Sequence, residues 1–178
     1  MSSVKLTVTR VALERALKQQ LFAGPDGRCY LKGDAQSSFF ISIEDPRLIF
    51  EQDRIVVKIM TRARMGKTVG GKWLGMSVTL PAQVSLAPDA EDETIGFHDA
   101  RLDLASDRKE IDFVLAPFLR GHVPKNMSVN AADLLRRALA RSTASFAYRV
   151  SLDRLTIHSI QIVGDKLVLD ADGDLSVE

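Results

Sequence analysis

The segment Gly66-Lys67-Thr68-Val69-Gly70-Gly71-Lys72-Trp73 puts Gly66, Gly71 and Lys72 at the spacing of a phosphate-binding loop, where backbone N–H groups and a lysine cradle a nucleotide. Its last residue argues against that chemistry. Trp73 stands where a Ser or Thr hydroxyl should ligate magnesium, and the residues after it alternate like a strand, with no helix N-terminus to hold phosphate. Gly66-Lys67-Thr68 also lacks its upstream glycine, since position 61 is Thr, so Gly66 to Gly71 is read as a flexible hairpin tip. His98, His122 and His158 show neither helical i,i+4 spacing nor a neighbouring Cys, so a metal site would need convergence through the fold. His98 and Asp99 adjoin on an expected strand and point to opposite faces, which excludes a simple orienting pair. Arg28 could lower the thiol pKa of Cys29, but a lone loop cysteine reads as inert. There is no Gly-x-Ser-x-Gly elbow. The expectation is a protein without catalysis, metal or cofactor.

Lys58, Arg62, Arg64, Lys67 and Lys72 run along that hairpin with no acid between them. They suit phosphates of lipid headgroups or nucleic acid, and Met65 and Trp73 beside them suit a membrane interface. The competing reading is a solvated face balanced by Asp89, Glu91, Asp92 and Glu93. A net charge of +1 names no partner, so nucleic acid is not expected and peripheral membrane contact through the five cations is the alternative kept open. With 46% hydrophobic and 26% charged residues, the 178-residue chain is read as one globular domain, 1–178, able to bury roughly 70% of its unfolded surface. The one cysteine excludes an intramolecular disulfide. The run Val114 to Leu119, interrupted by Pro117, falls short of the ~20 residues a membrane-spanning helix needs, and a soluble domain is expected. The first residues carry no leader-like apolar run, so the chain stays in the cytosol or a leader is absent from this numbering.

The elements that would position these residues are mostly β. Thr9 caps a helix from Arg10, with Leu13, Leu17 and Leu21 every fourth residue and Ala16 widening the stripe, until Gly24-Pro25 stops it. Phe39, Ile41 and Ile43 alternate, Asp45-Pro46 turns, and Arg47 to Glu51 resumes with Leu48 and Phe50 on one face. Arg54 to Arg64 sets Ile55, Val57 and Ile59 against Val56, Lys58 and Met60, and Lys72 to Ala87 returns as a strand broken or bulged at Gly75 and Pro81. Ile95 to Leu104 and Glu110 to Leu115 are expected as strands around a turn at Ser106 to Lys109. Asn130, with Asp133 three residues on, caps a helix to about Ala147 whose inner face carries Leu135, Leu139 and Phe146. Strands at Ser151 to Val163 and Lys166 to Val177 close the chain as a hairpin around Gly164-Asp165.

The apolar set Phe39, Ile41, Phe50, Met60, Met76, Phe113, Phe118, Leu135, Leu139 and Phe146 fits either a dry core or the lining of an apolar groove, since one helix is thin filling for a long curved sheet. The order of elements resembles the bacterial members of the tubular lipid-binding (TULIP) superfamily, nearest to the YceB-type lipoproteins. The likeness lies in Thr9 to Phe22 as first helix, "PRLIFEQDRIVVKIMT" from Pro46, "FHDARLDL" from Phe97, the Asn130 helix and "VGDKLVL" from Val163. It implies an α+β fold, a long curved antiparallel β-sheet wrapped around a C-terminal helix with a short N-terminal helix. It also implies an apolar tunnel that binds or carries a lipid or other apolar ligand. Phe50, Met60, Trp73, Met76, Phe113, Phe118, Leu135 and Leu139 would line that tunnel. It implies a periplasmic or envelope location too, although no lipid-attachment cysteine stands at the start and Cys29 lies beyond the first helix. The alternative is a non-catalytic interaction module with a packed core, whose basic hairpin 58–72 contacts an anionic partner.

Overall fold

The computed structural model describes residues 2–105, 109–122 and 127–178, with the side chains of residues 110–114, 118, 122 and 127 outside the description. In chain order the elements are β1 (Ser2–Thr9), α1 (Arg10–Leu21), β2 (Arg28–Lys32), β3 (Phe40–Glu51), β4 (Arg54–Val69), β5 (Lys72–Glu91) and β6 (Thr94–Leu104). They continue with α2 (Lys109–His122), β7 (Met127–Asn130), α3 (Ala131–Ser142), β8 (Val150–Val163) and β9 (Lys166–Val177). All neighbouring strands are antiparallel, in a curled six-stranded sheet ordered β2-β3-β4-β5-β6-β7 and a three-stranded sheet ordered β1-β9-β8.

The meander β3 to β6 turns at Gln52-Asp53, Gly70-Gly71 and Asp92-Glu93. Gly70 and Gly71 both have left-handed backbones (φ 56° and 78°), the conformation that lets a two-residue loop follow the twist of its strands. The strands are longer than their sequence punctuation suggests. Asp45-Pro46 is a bulge inside one continuous β3, with the register shifting between Glu44 and Arg47 and Asp45 at φ 52°. β5 likewise runs unbroken through Gly75 and Pro81. Pro81 sits just past the last paired residues of β5 and β6, where its carbonyl still accepts the Ala105 N–H at 3.1 Å, so the missing proline donor costs little.

The expected long curved sheet wrapped around a C-terminal helix is not what forms. α3 is a 12-residue helix that packs on β8, and the concave face of the large sheet is covered by three short helices and the small sheet. Asn130 does cap α3, its Oδ1 accepting the Asp133 N–H at 2.8 Å. The helix ends early because the Thr143 N–H and the Ser142 and Thr143 hydroxyls all turn back to the Leu139 carbonyl. Phe146, expected on the inner face, is 57% exposed beyond the helix and stacks on Tyr148. The strand expected over Glu110 to Leu115 is part of α2, and the turn expected before it falls largely outside the described residues. Six residues of alternation are too few to distinguish a strand from one helical face. Among the described side chains of α2, Leu115 and Leu119, one helical turn apart, reach the core.

The small sheet arises from a long-range pairing. β1 alternates Val4, Leu6 and Val8 and pairs with β9 from Ser2 opposite Gly173 to Thr9 opposite Lys166. Leu152, Leu155, Ile157, Leu167, Leu169 and Ala171 form its buried face against Leu48, Ile55, Leu86, Ile95 and Phe97 of the large sheet. A second cluster, Ile41, Ala63, Leu80, Leu115 and Leu119, lies where α2 meets that sheet. Glu93 ties the parts together. Its carbonyl accepts the Ala131 N–H at 2.9 Å at the start of α3, while its carboxylate meets Arg136 at 3.1 Å and the Leu155 N–H at 3.3 Å.

Candidate functional site

Between the two core clusters the large sheet's concave face is incompletely filled, leaving a cavity of about 210 Å³ whose lining draws on both. The floor is an aliphatic lattice set by register. Val57 lies opposite Leu48 on one side and Val84 on the other, Ile55 lies opposite Leu86, and Ile43, Ile59, Phe97 and Leu102 extend the surface. Leu13, Ala16, Leu17, Gln20 and Leu21 of α1, followed by Phe22, form a wall, and Leu31, Leu119, Val129 and Leu134 close the remainder. Among the described residues Gln20 is the only polar one in the lining. Leu21 and Leu134 are each 45% exposed, so the cavity opens to solvent beside them.

α1 is a wall laid on the body, with no buried residue of its own. Thr9 caps it, its hydroxyl accepting the Ala12 N–H at 3.2 Å, and Phe22 plugs its end at 8% exposure. Its position is set by polar contacts at the edges of the sheets. Leu48 lies past the β3 bulge, where β2 no longer pairs, and its free N–H donates to Glu14 Oε2 at 3.0 Å. That hydrogen bond, reinforced by Lys18 at 3.0 Å and Arg10 at 3.4 Å, holds the Glu14 carboxyl below its ordinary range against the opposing effect of burial. Arg10 also donates to Asp165 Oδ1 at 2.8 Å, fastening the start of the helix to the β8–β9 turn.

The residues expected to line the ligand site are placed differently. Met60 is on the sheet face away from the cavity, and Trp73 and Met76 belong to the far end of the β4–β5 hairpin. Phe50, Leu135 and Leu139 pack against the larger core cluster without lining the opening, and the Phe113 and Phe118 side chains lie outside the described residues. The lining comes from the uniformly aliphatic face Ile55, Val57 and Ile59 and from the leucine stripe of α1. Both patterns are visible in the sequence, but their meeting is not.

Among the described residues no ionisable side chain lines the cavity. His98 is exposed, and the exposed His158 sits 2.8 Å from Asp172 on the outer side of the small sheet. Cys29 is half-buried, and burial pushes its thiol pKa up. Among the described residues no group of three His, Cys, Asp or Glu is placed to hold a metal ion. The segment Gly66 to Trp73 is paired β-hairpin with Gly66 opposite Gly75, so its backbone N–H groups are not gathered around a phosphate. No protein-family model, curated protein or solved structure matches the chain.

Proposed function

We propose that the protein binds an apolar ligand in the cavity between α1 and the large sheet, by burial and shape and without covalent chemistry. The observation that carries this reading is an opening of about 210 Å³ with one polar residue among the described residues of its lining. A cavity of roughly 150 Å³ lined by aliphatic side chains stays dry and takes up benzene, whereas drug-sized sites run from roughly 300 Å³ upward. The chemistry that fits is therefore a small hydrocarbon-rich molecule, or one stretch of an acyl chain whose polar end stays at the mouth beside Gln20, Leu21 and Leu134. Each methylene transferred from water contributes about 0.8 kcal/mol, so about ten buried carbons correspond to the roughly 8 kcal/mol of micromolar binding, before the costs of association. The reading rests on this cavity and not on the likeness to the tubular lipid-binding superfamily. The gap between the clusters favours it over an interaction module with a packed core.

The test is titration of purified, solvent-extracted protein with a fluorescent fatty acid, alongside Val57→Trp, which fills the cavity from its floor. Saturable one-to-one binding by the wild type and at least tenfold weaker binding by the folded variant are expected. Equal affinity for both proteins would place any bound ligand elsewhere.

A further inference from the structure

β4 and β5 outrun their neighbours. The β3 ladder stops at Phe40 opposite Arg64, and the β6 ladder reaches no further than Ala82 opposite Leu104, yet β4 and β5 stay paired to Val69 and Lys72. At about 3.4 Å per residue, the five positions beyond Arg64 project roughly 17 Å as a two-stranded arm.

The two faces of this arm differ. On one, the Trp73 ring lies across the Gly66–Gly75 pair, where a Cβ on either glycine would collide with backbone and indole. Arg64 stacks on that ring at 4.3 Å and the indole N–H reaches the Ser38 carbonyl at 3.3 Å. That face is internally satisfied, and it braces an arm that has no sheet beside it. The other face continues the concave surface and carries cross-strand pairs Met65–Met76, Lys67–Leu74 and Val69–Lys72. Val69 is 48%, Leu74 59% and Met76 45% exposed. Lys67 and Lys72 form no ion pair among the described residues, and no Asp or Glu occurs between Arg54 and Pro88.

We propose that this face docks on the surface of an anionic lipid bilayer. Val69, Leu74 and Met76 enter the boundary between headgroups and acyl chains, and Lys67 and Lys72 reach up to the headgroup phosphates. Each feature has a reason in that setting. Aliphatic side chains gain from leaving water, lysines extend their charges to the interface while burying their stems, and an anionic leaflet attracts them. A nucleic acid would reward the lysines but offer little to Val69, Leu74 and Met76, and the one aromatic ring of the arm is already covered by Arg64. The inference uses other residues than the cavity and stands independently of the ligand reading.

The experiment is co-sedimentation of the full chain with vesicles of phosphatidylcholine and phosphatidylglycerol in equal parts, and with phosphatidylcholine alone. Binding to the anionic vesicles at least tenfold tighter than to the neutral ones is expected. The double variant K67E/K72E should weaken binding by roughly 30-fold or more, and V69S/L74S by roughly tenfold, with unfolding midpoints unchanged. If the charge reversal lowers the midpoint, K67Q/K72Q replaces it. Undiminished binding by V69S/L74S would overturn docking by insertion. Equal binding by the lysine variants, or lysine-dependent capture of a DNA duplex with no vesicle binding, would overturn the proposal outright.

Discussion

Two stretches of the same hairpin make an instructive contrast. Near the body, Ile55, Val57 and Ile59 of β4 face Leu86, Val84 and Ala82 of β5; toward the tip, Met65, Lys67 and Val69 face Met76, Leu74 and Lys72 on the same side of the strands. The first set lies under α1 and the small sheet, with Ile55 2% exposed, and the second lies under no other element among the described residues, with Leu74 59% exposed. Strand periodicity is the same in both. What differs is whether another element reaches that part of the sheet, which decides whether an aliphatic face becomes core, cavity wall or free surface.

That contrast predicts unequal responses to the same truncation. Ile55→Ala should lower stability by about 2–5 kcal/mol, because the larger core cluster cannot collapse around the lost atoms, whereas Leu74→Ala should stay within about 0.5 kcal/mol. Denaturant unfolding of the two variants checks this, and comparable losses would mean that the arm is covered in solution. A smaller effect addresses how α1 is held over the cavity. Glu14→Gln should cost about 1 kcal/mol at neutral pH by weakening the hydrogen bond to Leu48 and the attraction to Lys18 and Arg10. The Glu14 carboxyl lies below its ordinary 4.5 in the folded protein, so its contribution is fully present above that value and is lost as pH falls through the lower, folded pKa. The wild type and Glu14→Gln should therefore converge in thermal midpoint in acid, and a difference that persists there would assign the loss to packing. The smallest effect has the opposite sign. Thr61 is fully buried on the cavity side of β4 with its hydroxyl unpaired among the described residues, so Thr61→Val should be neutral or stabilising by up to about 1 kcal/mol in the same unfolding assay.

Legibility in the sequence followed the range of the interactions. The Thr9 and Asn130 caps, the Gly164-Asp165 turn and the C-terminal hairpin depend on residues within a few positions of each other, and all were readable, whereas the hairpin tip expected over Gly66 to Gly71 narrows to Gly70-Gly71 because Gly66 to Val69 are paired strand. Residues that change role with context misled: Asp45-Pro46 bulges where it reads as a turn, and Glu110 to Leu115 coils where it reads as a strand. In the candidate site, choosing large and flexible side chains such as Met60, Trp73 and Met76 pointed to the outer face and the arm. The cavity is built from the plainer leucines, valines and isoleucines. Chemical adaptability in a side chain says nothing of which face of a sheet will be incompletely covered.

By itself the sequence determined long antiparallel strands, where most of them turn, a capped first helix with one apolar stripe, and a hairpin arm rich in cations with no acid to offset them. The tertiary structure alone decided that β1 joins β9 across the length of the chain and that α1 lies on Leu48 through Glu14. It alone decided that two core clusters leave a gap between them, and that the arm extends past its neighbouring strands. The reason is physical. Local pattern sets backbone conformation through sterics and short-range hydrogen bonds, but cavities and uncovered faces are differences between the areas of surfaces that meet. Those areas exist only once distant segments have packed.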